Sequence, residues 1–144
     1  MGYAGKLDTN GSSPETVAAL IERKLFNYLA LDIKADPAFF PPELAPRDHG
    51  PAILETIGIL KRTAFPHEFR TTAAAPFVNV DSITAIAKAA AGGGPLYIQA
   101  CRPDNVLSPD FMNAHPLPTN EQLRELHNVA KRYVPAFLRG LPKG

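Results

Sequence analysis

Tyr28-Leu29-Ala30-Leu31-Asp32-Ile33-Lys34 is a compact apolar run that closes on two charged residues. Its apolar residues are nearly continuous, the pattern of a strand buried within a parallel sheet, and its C-terminal end carries polar groups. On the N-terminal side, Tyr3 to Leu7 reads as a first strand leading into Asp8-Thr9-Asn10-Gly11. Ser13 followed by Pro14 is a helix start, and Val17, Leu20, Ile21 and Leu25 recur at helical spacing, which predicts a helix from Pro14 to Leu25.

On the C-terminal side, Ala35 to Pro51 is a loop, because five prolines deny it regular pairing. Ile53, Ile57 and Leu60 predict a helix over Pro51 to Thr63, followed by a strand at His67-Glu68-Phe69-Arg70-Thr71-Thr72. Asp81 caps a third helix, and Gly92-Gly93-Gly94-Pro95 stops it before a strand at Leu96 to Ala100. The glycines lack dinucleotide-binding spacing and follow a helix rather than a strand. A long connection, Arg102 to Pro118, precedes Thr119, which forms a capping box with Gln122. That helix runs to Tyr133, and Ala136-Phe137-Leu138 is a final strand.

Strand and helix alternate throughout, so residues 1–144 read as one α/β domain with a parallel sheet covered by helices. The order leaves an open sheet and a barrel equally open, but both place ligands at the C-terminal ends of strands. Three strands end in polar residues there: Asp8 and Thr9, Asp32 and Lys34, and Arg70. The same residues have plainer readings. Asp8 to Gly11 can be a turn, Asp32 and Lys34 a solvated strand end, and Arg70 a partner for Glu68 two residues away.

Composition narrows the function classes. Fifteen Lys and Arg balance fourteen Asp and Glu for a formal charge of +1, which does not point to nucleic acid. No apolar run reaches the ~18–20 residues that cross a bilayer, and Met1 to Lys6 has no apolar signal region, so a cytoplasmic location is expected. One cysteine, Cys101, excludes an intrachain disulfide, a cysteine-rich zinc site and a cluster held by several thiolates. It reads as an inert thiol, and the four histidines are too scattered for a metal site. Tyr3, Phe26, Tyr28, Phe65 and Phe69 read as core, whereas Phe39 and Phe40 in the proline-rich loop either pack inward or meet a partner.

Taken in order, Leu7-Asp8-Thr9-Asn10-Gly11, Leu29-Ala30-Leu31-Asp32-Ile33-Lys34 and Glu68-Phe69-Arg70-Thr71-Thr72 resemble the C-terminal half of radical S-adenosylmethionine enzymes that activate glycyl-radical enzymes. Tyr97-Ile98-Gln99, Arg102-Pro103, Leu107 and Leu138-Arg139-Gly140 fit the branch that activates anaerobic ribonucleoside-triphosphate reductase, akin to pyruvate formate-lyase activating enzyme. The resemblance implies the C-terminal half of a partial TIM-like barrel. It also implies S-adenosylmethionine, a [4Fe–4S] cluster, a 5′-deoxyadenosyl radical, and a partner enzyme whose glycine loses hydrogen. The family's CxxxCxxC and GGEP segments are absent from this sequence, so the chain is expected to be inactive alone and to need a missing N-terminal half.

By the same resemblance, Asp8, Thr9, Asp32 and the Ala30 carbonyl would hold a monovalent cation beside the cofactor, a donor set suited to a hard ion. Lys34 would contact the ribose and Arg70 the methionine carboxylate, which a guanidinium can meet with two parallel donors. No side chain is assigned as a general base. Two other readings stand beside this one: a piece of a radical S-adenosylmethionine enzyme acting on a small molecule, and a non-catalytic α/β binding module. A half-barrel would also expose Tyr3 to Leu7 as an unprotected edge.

Overall fold

The computed structural model describes residues 5–42, 44, 47–73, 78–100, 110 and 116–140. Tyr3, Cys101, Arg102, Pro103 and Leu107 lie outside the described residues. The elements are β1 (Lys6–Thr9), α1 (Pro14–Glu22), β2 (Tyr28–Asp32), a short 3-10 turn (Pro37–Phe39), α2 (Gly50–Thr63) and β3 (His67–Ala73). They continue with α3 (Val80–Ala90), β4 (Leu96–Ala100), α4 (Asn120–Ala130) and β5 (Ala136–Arg139).

Among the described residues five strands form one sheet, all parallel, and the sheet order β1-β2-β3-β4-β5 follows the chain. A doubly wound sheet reverses its order at a switch point; this one never does. Parallel strands joined by crossovers in one direction, each right-handed as such connections almost always are, put the described helices on one face, the winding of a β/α barrel. The core confirms it. Leu29 and Leu31 of β2, Phe69 of β3 and Leu96 and Ile98 of β4 pack in a single cluster with Val17, Ile57, Ile86 and Leu126 from α1, α2, α3 and α4. The expected α/β architecture is therefore present as an open, partial barrel, with β1 and β5 at its edges among the described residues.

Several boundaries move. The first helix stops at Glu22 rather than Leu25, because Lys24 turns into the left-handed region (φ 54) and Leu25 is left 64% exposed. The third helix is capped by Asn79, not Asp81: the Asn79 side chain accepts from the Ser82 N–H at 2.9 Å, and the Asn79 N–H donates to Ser82 Oγ at 2.7 Å. The Thr119–Gln122 box forms as read, with reciprocal bonds of 2.8 and 3.1 Å, but its helix ends at Ala130. Gly92 to Gly94 do end α3, with Gly92 at φ +88 and the Gly93 N–H donating to the Ala90 carbonyl. In the proline-rich loop, Phe40 stacks on His49 at 5.8 Å, whereas Phe39 is 82% exposed.

Candidate functional site

In register, β1 to β3 set Asp8 level with Ala30 and Glu68, and Asp32 level with Arg70. Side chains alternate along a strand, so these five share the face opposite the one on which α1 to α4 pack. Tyr97 of β4 and Phe137 of β5 continue the Asp32–Arg70 row, and Arg139 lies one step further on β5. The concave face of the sheet is thus polar and aromatic, and the convex face apolar.

Arg70 joins three strands. Its Nη2 donates to Asp8 Oδ1 at 2.7 Å and lies 3.5 Å from Asp32 Oδ2, so one guanidinium nitrogen serves carboxylates on β1 and β2. Ala30 stands in register between Asp8 and Glu68, and its methyl group leaves room for Arg70 to cross β2. Ala30 is fully buried. The Arg70 side chain is 14% exposed, and its Nε has no hydrogen-bond partner among the described residues. Burial pushes the Asp32 carboxyl above its ordinary range; Arg70 opposes that shift, Asp8 adds to it, and Lys34 opposes it.

The plainer reading of Arg70, a pair with Glu68, is only part of the picture. Glu68 Oε2 lies 3.9 Å from Arg70 Nε, too far for a hydrogen bond, while the bonds go to the strand-tip aspartates. Glu68 has other partners: the Tyr28 hydroxyl donates to Oε1 at 3.0 Å, Arg139 Nη1 donates to Oε2 at 3.3 Å, and Lys6 Nζ is 3.8 Å from Oε1. Burial, then the bond to Glu68 and its charge, push the Tyr28 phenol up to about 12. Tyr28 therefore faces the site rather than the core, unlike the fully buried Phe69. Phe26 and Phe65 pack edge-to-face at 5.2 Å at the margin of the core.

The other strand-tip residues separate. Thr9 alternates to the helix side, in register with Leu31, and its hydroxyl accepts from the Gly11 N–H at 3.1 Å. Asp8 to Gly11 is thus also a turn, closed by the Ser12 N–H donating to Asn10 Oδ1 and pinned by the Thr56 hydroxyl donating to the Gly11 carbonyl at 2.9 Å. Gly11 sits at φ +75 with Leu31 Cδ1 where a Cβ would go, so glycine is required there. Lys34 lies past the end of β2, exposed, and joins Asn10, Asp32, Phe40 and His49 around a recess of about 60 Å³.

Glu68, Tyr28, Tyr97 and Arg139 are site residues that pattern reading passed over as such. The available signal was a charged residue two places before Arg70, hence on its face, inside an otherwise apolar strand.

The residues fit some of the expected groups and not others. Two carboxylates and a guanidinium at one strand edge suit a small ligand carrying both a carboxylate and positive charge, and Asp8 with Asp32 suits a hard cation. The Thr9 hydroxyl points away from that pair. One cysteine in the sequence gives too few thiolates for a [4Fe–4S] cluster, and among the described residues no three His, Cys, Asp or Glu gather as a metal site. No described helix is long and apolar enough to cross a membrane.

No protein-family model matches the chain. A Methanocaldococcus jannaschii protein provisionally named a glycyl-radical enzyme activating enzyme is 31% identical over 137 residues, which cover 92% of this chain and 57% of that protein. The chain thus spans a little over half the length of that curated relative. Among solved structures, a domain of pyruvate-formate lyase-activating enzyme from Bacteroides vulgatus superposes with a TM-score of 0.72 at 14% identity, covering 95% of this chain and 81% of that domain. That likeness supports the partial-barrel fold.

Proposed function

We propose that this chain, a relative of the glycyl-radical enzyme activating enzymes, forms the S-adenosylmethionine-facing wall of such an enzyme's barrel. The observation that carries the reading is the convergence of Asp8, Asp32 and Arg70 from three strands at one end of the concave face. In this reading Arg70 takes the methionine carboxylate, Lys34 reaches the ribose from beyond β2, and Asp8, Asp32 and the Ala30 carbonyl hold a sodium or potassium ion beside that carboxylate. Thr9 serves through the turn that it ties to Gly11. A bound cation would oppose the upward shift that burial imposes on the Asp32 carboxyl.

The whole enzyme's reaction in this proposal is reductive cleavage of S-adenosylmethionine, with hydrogen abstraction from a glycine of a partner such as an anaerobic ribonucleotide reductase. The cluster for that chemistry has no ligand set in this chain, so no step through it is assigned to these residues. Their part is to bind, orient and neutralise.

Calorimetric titration with S-adenosylmethionine, with sodium or potassium chloride and with neither, tests the reading on the intact chain. Cation-dependent binding, lost in Arg70→Ala, is expected. No binding under any condition, or equal binding by Arg70→Ala, would favour a non-catalytic module.

A further inference from the structure

The geometry points to Glu68 as a positioning residue: its buried carboxylate holds Arg70 across β2 so that the guanidinium meets the strand-tip aspartates and a ligand carboxylate. The inference rests on the proposed role of Arg70 only for its consequence in binding; the positioning itself is a statement about the chain. Glu68 is 4% exposed, the most deeply buried of the charged residues on the concave face. Desolvating a carboxylate is costly unless partners surround it, and here they come from β1, β2, β3 and β5: Lys6, Tyr28, Arg70 and Arg139.

Each partner is itself placed by the arrangement. Arg139, held by Glu68, lies with its guanidinium carbon 3.5 Å above the Tyr97 ring, and Tyr97 stacks on Phe137 at 5.4 Å. Tyr97 is the register neighbour of Arg70, so this layer walls the β4 side of the Arg70 side chain. Glu68 attracts the Nε edge of the same guanidinium whose Nη2 faces Asp8 and Asp32. Attraction from below and from above holds the side chain extended across Ala30. Without the Glu68 charge, Arg70 keeps its aspartate partners but loses the anchor that fixes its angle, and Arg139 loses its hold over Tyr97.

The test uses Glu68→Gln, which keeps shape and a Tyr28 acceptor, and Glu68→Asp, which keeps the charge but withdraws it by one methylene. The Arg70 Nε–Hε resonance, assigned by its loss in Arg70→Lys, reports the positioning directly. In the wild-type chain a resolved, slowly exchanging signal is expected. Glu68→Gln should move it into the exposed-arginine envelope with at least tenfold faster exchange, and Glu68→Asp should shift it part of the way, while backbone signals of α2 and α3 stay in place. An Arg70 signal unchanged in Glu68→Gln would overturn the inference, as would equal disturbance of α2 and α3, which marks a merely structural role. Titration with S-adenosylmethionine separates the two readings. If wild type binds it, Glu68→Gln should bind about tenfold more weakly, and equal affinity would count against positioning. If wild type does not bind it, the binding proposal fails while the resonance still decides the role of Glu68.

Discussion

Arg70 Nη2 lies 2.7 Å from Asp8 Oδ1 although 62 positions separate the two residues and their strands are not neighbours. β2 runs between them, and the bond exists because the residue at the crossing point is Ala30. A larger side chain there would occupy the path of the guanidinium. Ala30→Leu should therefore cost about 1–3 kcal/mol, the usual range for overpacking, in urea unfolding. It should also reduce affinity for S-adenosylmethionine to that of Arg70→Ala, whereas Ala30→Gly should keep it. Wild-type affinity in Ala30→Leu would show that Arg70 reaches the site by another route.

Asp32 carries a pH signature of unusual sign. Its folded pKa is raised, burial outweighing Arg70, so between the ordinary carboxylate value and the raised one the native state binds more protons than the unfolded chain. Stability from this group is thus present at low pH and declines as pH rises through the folded pKa, opposite to a salt-bridged aspartate. Asp32→Asn removes the buried charge. Its melting temperature should equal or exceed that of wild type at pH 7, and the difference should shrink by pH 3. A variant markedly less stable at pH 7 would mean that the Arg70 attraction dominates.

The Gly92-Gly93-Gly94 stop makes a graded prediction. Gly92 needs φ +88 but faces open space apart from Lys61 Cε at 3.9 Å, so Gly92→Ala should cost about 1 kcal/mol. A Cβ on Gly94 would collide with the His67 carbonyl, which is backbone and cannot step aside, and the Gly94 N–H donates to His67 Nε2 at 2.9 Å. Gly94→Ala should cost about 3 kcal/mol. Denaturation midpoints of the two variants check the order.

The elements were legible because their signals are local: Ser13-Pro14, the Thr119–Gln122 box and the apolar run at β2 all act within a few residues. The winding was legible only through the family resemblance, which implied a partial barrel; nothing in a strand's own residues says which neighbour it will pair with, and in the structure the uninterrupted order of the sheet separates a barrel from a doubly wound layer. Asp8, Asp32 and Arg70 were readable as polar groups at strand tips. Glu68 was not, because its role depends on Lys6 and Arg139 arriving from strands 62 and 71 positions away in sequence. The first separation is that between β1 and β3; the second joins β3 to β5. The direction of the Thr9 hydroxyl follows from the pleat, which turns the residue next to Asp8 to the other face.

In the proposed function Arg70 recognises a carboxylate at the mouth of the partial barrel. Competition binding of S-adenosylmethionine against its decarboxylated analogue, in saturating sodium chloride, isolates that contact. The wild-type chain should prefer the carboxylate form at least tenfold, and Arg70→Ala should bind both forms alike. Equal affinity of the wild-type chain for the two, or a preference that survives in Arg70→Ala, would contradict it.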